Sequence, residues 1–384
     1  MRFIHLGDLH LGKIVNEFSM IEDQRYILDK VISLIGEKSL DAVVISGDVY
    51  DRAVPSEEAV RLYNSFLKTI VSKGTKVFVI SGNHDSDVRT DFGSWMMEEC
   101  GVYVKGEYDG GASKITLEDE YGEINFYLLP YIKAANVRKF YPDEDITSYE
   151  SALKVAVDKC CADPDSRNVI LSHQFIAGTT SAPEFAGSEK DALNVGTIEC
   201  AGYNIFDDFD YVALGHIHKP QRVGRDTVRY AGSPLKYSLE ESEISKNKKF
   251  TIINMKEKGN VEVELLDIEP LREVRHIKGN LNELLTNATD SKDYIYATLT
   301  DEDTQYEAMA RLREKYPYIM KMDYDNSLTR HLMEDGEIVT EGKTFEELIN
   351  DFFILFRGSV PDDEDLEIIN KAAKEAGVIS NEAD

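Results

Sequence analysis

The sequence predicts an α/β fold, a β-sandwich flanked by helices, with a small α/β appendage and C-terminal helices. Three observations predict it. Phe3 to Leu6, Ala42 to Ile45, Val77 to Ile80, Val169 to Leu171 and Tyr211 to Leu214 are short, largely β-branched or aromatic runs with the composition of buried strands. Between the second and third of these runs lies a segment with apolar residues at helical spacing. After Pro270 the pattern alternates strand, helix, strand, helix, strand.

Each of the five runs stops at a polar motif: Gly7-Asp8-Leu9-His10, Gly47-Asp48-Val49-Tyr50-Asp51, Gly82-Asn83-His84-Asp85, Ser172-His173 and Gly215-His216-Ile217-His218. In open α/β sheets ligands bind beyond the carboxyl ends of the strands, so these five ends are expected to converge on one patch. The adjoining glycines permit the close backbone approach such a patch requires. Five of the eight histidines fall inside the motifs, and that concentration separates a site from scatter. His5, mid-strand, is expected to be structural, and His276 and His331 to serve surface or local packing.

The helical segment opens at Ser56 as N-cap, carries Glu57 and Glu58 in its first turn, and places Val60, Tyr63, Leu67, Ile70 and Val71 on one expected core face. Strands at 124 to 129, 227 to 231, 250 to 255 and 261 to 266 complete a core domain over residues 1–268. The second domain, 269–326, reads as strand Val274 to Lys278, helix Leu281 to Asn287, strand Tyr294 to Leu299, helix Tyr306 to Tyr316 and strand Ile319 to Tyr324. A polar linker, 327–343, precedes C-terminal helices at 344–384. There Thr344 and Glu347 form a capping box, and apolar residues from Phe345 to Phe356 cover more than one narrow stripe. A helix so broadly apolar behind a linker is expected to dock on a partner.

Mixed carboxylate, amide and imidazole donors suit Mn, Fe or Zn, whereas Mg and Ca prefer all-oxygen shells and structural zinc usually recruits thiolates. Cys100, Cys160, Cys161 and Cys200 form no C-x-x-C pair and lie outside every motif, which excludes a zinc-finger or thiol-redox reading and suggests a reducing cytoplasm. Singly, His173 would more often be a structural histidine and Asp8 or Asn83 a turn residue. Their ordered combination reverses those odds.

At these residues the chain resembles the calcineurin-like metallophosphoesterase superfamily, whose pattern D-x-H, G-D-x-x-D, G-N-H-D/E, H, G-H-x-H is matched throughout. Within it, Gly7 to Gly12, Gly47 to Asp51 with Pro55-Ser56, Gly82 to Ser86 and Tyr230 to Pro234 are similar to bacterial nuclease subunits that act with an SMC-like ATPase. The resemblance implies two Mn(2+) ions, with Mg, Fe or Zn as substitutes. One ion would be held by Asp8, His10, Asp48 and His218, the other by Asp48, Asn83, His173 and His216, with Asp48 bridging. Such a pair polarises a phosphodiester and stabilises the departing oxygen. His84 would be catalytic without ligating metal, protonating the leaving 3′ oxygen.

Some relatives carry a second catalytic histidine where this chain has Asp51; phosphoprotein phosphatases place an acidic dyad partner there. The expectation is that the Asp51 carboxylate orients His84. The resemblance further implies 3′ to 5′ exonuclease action on duplex ends and endonuclease action on single strands and hairpins. It makes residues 269–326 a capping domain, docks 344–357 on the ATPase and pairs the nuclease as a homodimer.

A formal charge of −28 runs against a DNA substrate, which normally requires a basic surface. Part of the excess is local, since residues 331–384 hold fifteen acidic and four basic residues. Lys13, Arg52, Arg89, Arg222 and Arg225 follow the motifs closely enough to contact a backbone. No apolar stretch approaches the roughly 20 residues that cross a bilayer, and Asp8 interrupts any leader-like start, so a cytoplasmic protein is expected. Two alternatives use the same residues differently. A small-molecule phosphatase or phosphodiesterase would need the metals but not the C-terminal extension; a non-catalytic scaffold would need the extension but not the ligands.

Overall fold

Strand alternation builds the first unit. In the strand Tyr211–Gly215, Tyr211 and Ala213 enter one apolar core while Val212 and Leu214 enter another, so a strand buried on both faces divides two cores. The computed structural model describes residues 1–178, 183–186, 200–244, 247–327, 329–330, 344–357 and 360–375. Two six-stranded sheets carry the architecture. The first has strands β1 (Arg2–Leu6), β2 (Ala42–Ser46), β3 (Lys76–Ile80) and β4 (Val102–Lys105). The second has β5 (Ser113–Asp119), β6 (Gly122–Leu129), β7 (Arg167–His173), β8 (Tyr211–Gly215), β9 (Gln221–Val223) and β10 (Arg225–Tyr230). Strands β11 (Lys249–Met255) and β12 (Val261–Asp267) return to the first sheet.

The sheet orders are β12-β11-β1-β2-β3-β4 and β9-β10-β8-β7-β6-β5. Strands β1 to β4 run parallel to one another, as do β6, β7, β8 and β10, while β11, β12, β5 and β9 are antiparallel additions. Phe3, Phe78 and Tyr211 meet Phe126 and its neighbours between the sheets, with the Phe78 and Phe126 rings stacked at 4.1 Å. The outer face of the second sheet is covered by helices Ala134–Phe140 and Tyr149–Asp158 through Val137, Leu153 and Ala156. The sandwich flanked by helices is therefore present.

On the helix Glu57–Ser72, Ser56 Oγ accepts the Ala59 N–H at 3.3 Å, a cap contributing about 1 kcal/mol. Its buried face is Ala59, Leu62, Phe66 and Ile70, and Val60 is exposed. Ile70 is buried as expected, whereas Leu62 and Phe66 take the places expected of Tyr63 and Leu67, because several neighbouring apolar residues fit a 3.6-residue period about equally well.

The chain divides into two compact units, Met1–Arg275 with Lys292–Tyr296 and His276–Ser291 with Ala297–Asp384. The first unit runs to Arg275, and residues 297–326 and the C-terminal helices share the second. The second unit carries helices Leu281–Thr286 and Ala308–Lys315 and strand Ile319–Tyr324, close to their expected positions. Tyr316 donates to the Leu284 carbonyl at 2.8 Å, tying its helices together. The capping box forms as the residue pattern requires, with the Glu347 N–H donating to Thr344 Oγ1 at 3.2 Å and the Thr344 N–H to Glu347 Oε2 at 2.8 Å. Helices Phe345–Arg357 and Asp363–Glu375 follow. The expected linker, apart from 327 and 329–330, and His331 lie outside the described residues.

Candidate metal centre

Parallel strands bring the motif-bearing ends together. Leu6 pairs with Ile45, Ser46 with Ile80 and Gly215 with His173, so five carboxyl ends lie at one end of the sandwich. The chain leaves the strands under strain: Asp8, His10, Asp48 and His216 have φ of +53°, +45°, +51° and +103°. They are four of the nine non-glycine residues with positive φ among the described residues, each costing about 1–3 kcal/mol. Such outliers persist where surrounding contacts over-determine them. Asp8 N–H donates to the Gly47 carbonyl at 3.1 Å and His10 N–H to the Asp48 carbonyl at 3.0 Å, locking the first two motifs against each other. Glycine is required at Gly82, where a Cβ would come within 2.1 Å of Asp48 Oδ1, and at Gly215, where it would come within 2.0 Å of the Ser46 carbonyl.

The donors form two clusters joined by one carboxylate. His10 Nε2 lies 3.0 Å from His218 Nε2, and Asp8, His10 and His218 bring one donor atom each within 4.8 Å of one another. Asn83 Oδ1 meets His173 Nε2 at 3.0 Å and His216 Nδ1 at 2.9 Å. Asp48 Oδ1 accepts the His84 N–H at 2.9 Å, while Oδ2 lies 3.7 Å from His10 Nε2 and 3.4 Å from His173 Nε2. All seven expected ligands therefore come together.

Electrostatics describe a cation site. Burial pushes Asp8 up to about 6, and its Oδ2 is buried without a hydrogen-bond partner among the described residues. Burial drives His10 well below its ordinary value and, with His173 beside it, His216 down to about 3. Burial alone would also depress His173, but Asp48 outweighs it and lifts the imidazole to about 9; burial would raise Asp48, yet His173 and His10 hold it below the ordinary carboxylate range. An orphaned carboxylate oxygen amid imidazole nitrogens and a carboxamide oxygen fits divalent transition ions.

Asp51 corrects its expectation. His84 Nδ1 meets the backbone carbonyl of Asp51 at 3.0 Å, whereas the carboxylate accepts from Lys13 Nζ at 2.7 Å and lies 3.7 Å from His10 Nδ1. The motif's turn presents the peptide oxygen to His84 and directs the side chain toward the first motif. The His10 and His84 rings meet edge to face at 4.8 Å. Arg225 also departs from expectation: its guanidinium donates to the Phe206 and Phe209 carbonyls at 2.9 and 2.6 Å and so braces the segment that leads into β8. Arg52, Arg89 and Arg222 are exposed.

Sequence reading missed the supporting residues. Asp85, though inside a motif, accepts the Gly82, Val49 and Tyr50 N–H groups at 2.9, 3.1 and 2.9 Å, clamping two ligand loops. Gln24 donates to the His10 carbonyl at 2.7 Å and accepts the Gly12 N–H at 2.9 Å. Glu241 and Lys248 stand behind His218, and their segment carries no motif. The signal for Asp85 was its place in the Gly82-Asn83-His84-Asp85 motif.

A calcineurin-like phosphoesterase family model matches residues 1–220, and a type 5 capsule protein repressor C-terminal domain model matches residues 270–355. The chain is 27% identical over 359 residues to the SbcD subunit of the SbcCD nuclease of Staphylococcus epidermidis, covering 92% of each. A solved dimetal phosphatase from Danio rerio is 11% identical, with a TM-score of 0.41 over 71% of this chain and 98% of that one. TT1561 of Thermus thermophilus is 11% identical, with a TM-score of 0.38 over 69% and 98%.

Proposed function

The chain belongs to the calcineurin-like phosphoesterase family, and from that premise we propose that it is a two-metal DNA nuclease subunit acting with an SbcC-like SMC-family ATPase. The observation that carries the chemistry is Asp48 Oδ2, set between His10 of one donor cluster and His173 of the other. Asp8, His10, Asp48 and His218 would hold one Mn(2+), and Asp48, Asn83, His173 and His216 the second. When bound, two such ions polarise a phosphodiester, lower the pKa of water and stabilise the departing oxygen. His84 supplies the proton. Its Nδ1–H donates to the Asp51 carbonyl, so the proton passed to the leaving 3′ oxygen is the one Nε2 carries in the imidazolium form, which becomes the neutral imidazole on transfer.

The DNA substrate is supported by likeness to a nuclease that aligns across 92% of both chains. Exonuclease action on duplex ends, endonuclease action on single strands and hairpins, and a role in double-strand-break repair, recombination and replication follow from the same reading, which also places the protein in the cytoplasm. Among the described residues no helix is long and apolar enough to cross a membrane. Residues 344–357 are the ATPase-docking helix: the capping box fixes its start and Phe352 is half exposed. A homodimer is supported by Val88, Phe92, Trp95 and Met96, exposed along the short helices Asp87–Asp91 and Ser94–Glu98, with Phe92 at 82% and Trp95 at 73%.

Mn-dependent cleavage of hairpin and linear duplex DNA by the purified chain, with and without its ATPase and ATP, tests the reading. Hydrolysis of a chromogenic phosphate ester without DNA cleavage under any of these conditions would favour the small-molecule phosphatase, and loss of both activities the scaffold.

A further inference from the structure

Behind His218 lies a pair of opposite charges with almost no access to water. Glu241 is 0% exposed and Lys248 3%. Glu241 Oε1 lies 3.3 Å from His218 Nδ1, and Oε2 lies 2.6 Å from Lys248 Nζ. The ammonium also donates to Ser233 Oγ at 2.8 Å and to the His218 carbonyl at 2.9 Å. His218 is therefore gripped at both ends, its ring by the carboxylate and its peptide oxygen by the ammonium.

We propose that Glu241 and Lys248 are positioning residues that present His218 Nε2 as a bare donor to one of the two metal positions, making that position unequal to the other. The proposal rests on the two-metal reading above and goes beyond it.

The geometry is that of an Nδ1–H donating to a carboxylate, which fixes the tautomer and leaves the Nε2 lone pair facing His10 Nε2 at 3.0 Å. A carboxylate behind an imidazole also raises its basicity as a ligand. Among the described residues His173 of the second cluster differs, since its outward nitrogen meets a neutral acceptor, the Ser46 carbonyl, at 2.8 Å. His10 Nδ1 is 3.7 Å from Asp51 and has no hydrogen-bond partner among the described residues.

Stability alone is a weak reason for this pair. A buried ion pair contributes little net over well-packed apolar residues, and this one spans the turn after β8, the helix Leu239–Ile244 and the residue before β11. Ser233 completes the arrangement, its N–H donating to the His218 carbonyl at 3.1 Å. The Gly232 turn lies so close that a Cβ there would meet that carbonyl at 2.7 Å.

The test is calorimetric titration of the metal-free full chain with Mn(2+), together with imidazole ¹⁵N NMR. The wild type should bind two ions, with His218 protonated at Nδ1 before metal is added. The double variant Glu241→Gln with Lys248→Met removes both charges without leaving either unpaired. It should weaken one ion by roughly 10- to 100-fold, leave the other unchanged and release the His218 tautomer. Glu241→Gln alone keeps the side-chain shape and should shift the same ion in the same direction, which covers a double variant that fails to fold. Unchanged affinities, or equal weakening of both ions, would overturn the proposal. A wild-type chain that binds fewer than two ions would instead sink the two-metal reading, and the proposal with it.

Discussion

The Nε2 atoms of His10 and His218 lie 3.0 Å apart, on residues that follow strands of two different sheets. Both rings are buried, so a proton or a cation must lie between the two lone pairs. Burial keeps His10 neutral well below its ordinary value, which leaves the position better suited to a metal than to an imidazolium.

Asp48→Ala should bind fewer than two Mn(2+) per folded chain, because one carboxylate serves both clusters. Metal content after gel filtration measures this. Normal two-ion occupancy would refute the bridging role.

His84→Ala should retain both metals and lose about 10²- to 10⁴-fold in turnover, as expected for removal of a general acid. Cleavage of hairpin DNA at near wild-type rate, with metal content confirmed, would remove His84 from the chemistry.

Asp51→Asn separates backbone from side chain. The carbonyl that holds His84 Nδ1 survives the substitution, so turnover at saturating Mn(2+) should fall by less than about 10-fold. The change should surface instead as a higher Mn(2+) requirement, since the carboxylate faces Lys13 and His10. A metal-independent loss as large as that of His84→Ala would restore the carboxylate dyad.

Truncation after Arg330 keeps the Arg330–Asp325 ion pair at 2.7 Å and removes the proposed docking helix. The shortened chain should bind two Mn(2+) and cleave DNA but no longer co-purify with the ATPase. Unchanged co-purification would return residues 344–357 to a purely structural role.

Acid stability should depend on Asp119. Burial would raise its carboxyl, but Arg167 at 2.6 Å and the α-ammonium outweigh it and hold it at about 2. A depressed carboxylate contributes stability above its unfolded value near 4, and that contribution is lost as pH falls through about 2. Asp119→Asn should therefore lower the melting temperature at pH 6 and narrow its difference from wild type toward pH 2. An equal difference at both values would show that the charge is not responsible.

Much of the site was legible because its residues follow strands directly. The ends of β1, β2, β3, β7 and β8 each carry a polar residue where a buried strand stops, and one-dimensional order preserves that signal. The convergence of the five motifs could be read from this, as could the caps at Ser56 and Thr344, which depend on residues three positions apart. The face of the helix Glu57–Ser72 was not legible, since several apolar residues satisfy the helical period and only packing selected Leu62 and Phe66 over Val60 and Tyr63. The acceptor for His84 was decided by the turn, which aims the Asp51 carbonyl rather than its carboxylate at the ring. Glu241 and Lys248 reach His218 from 23 and 30 residues away. The sequence determines which groups are available and where the strands release them; which partner each one meets depends on distances that exist only after the two sheets have packed.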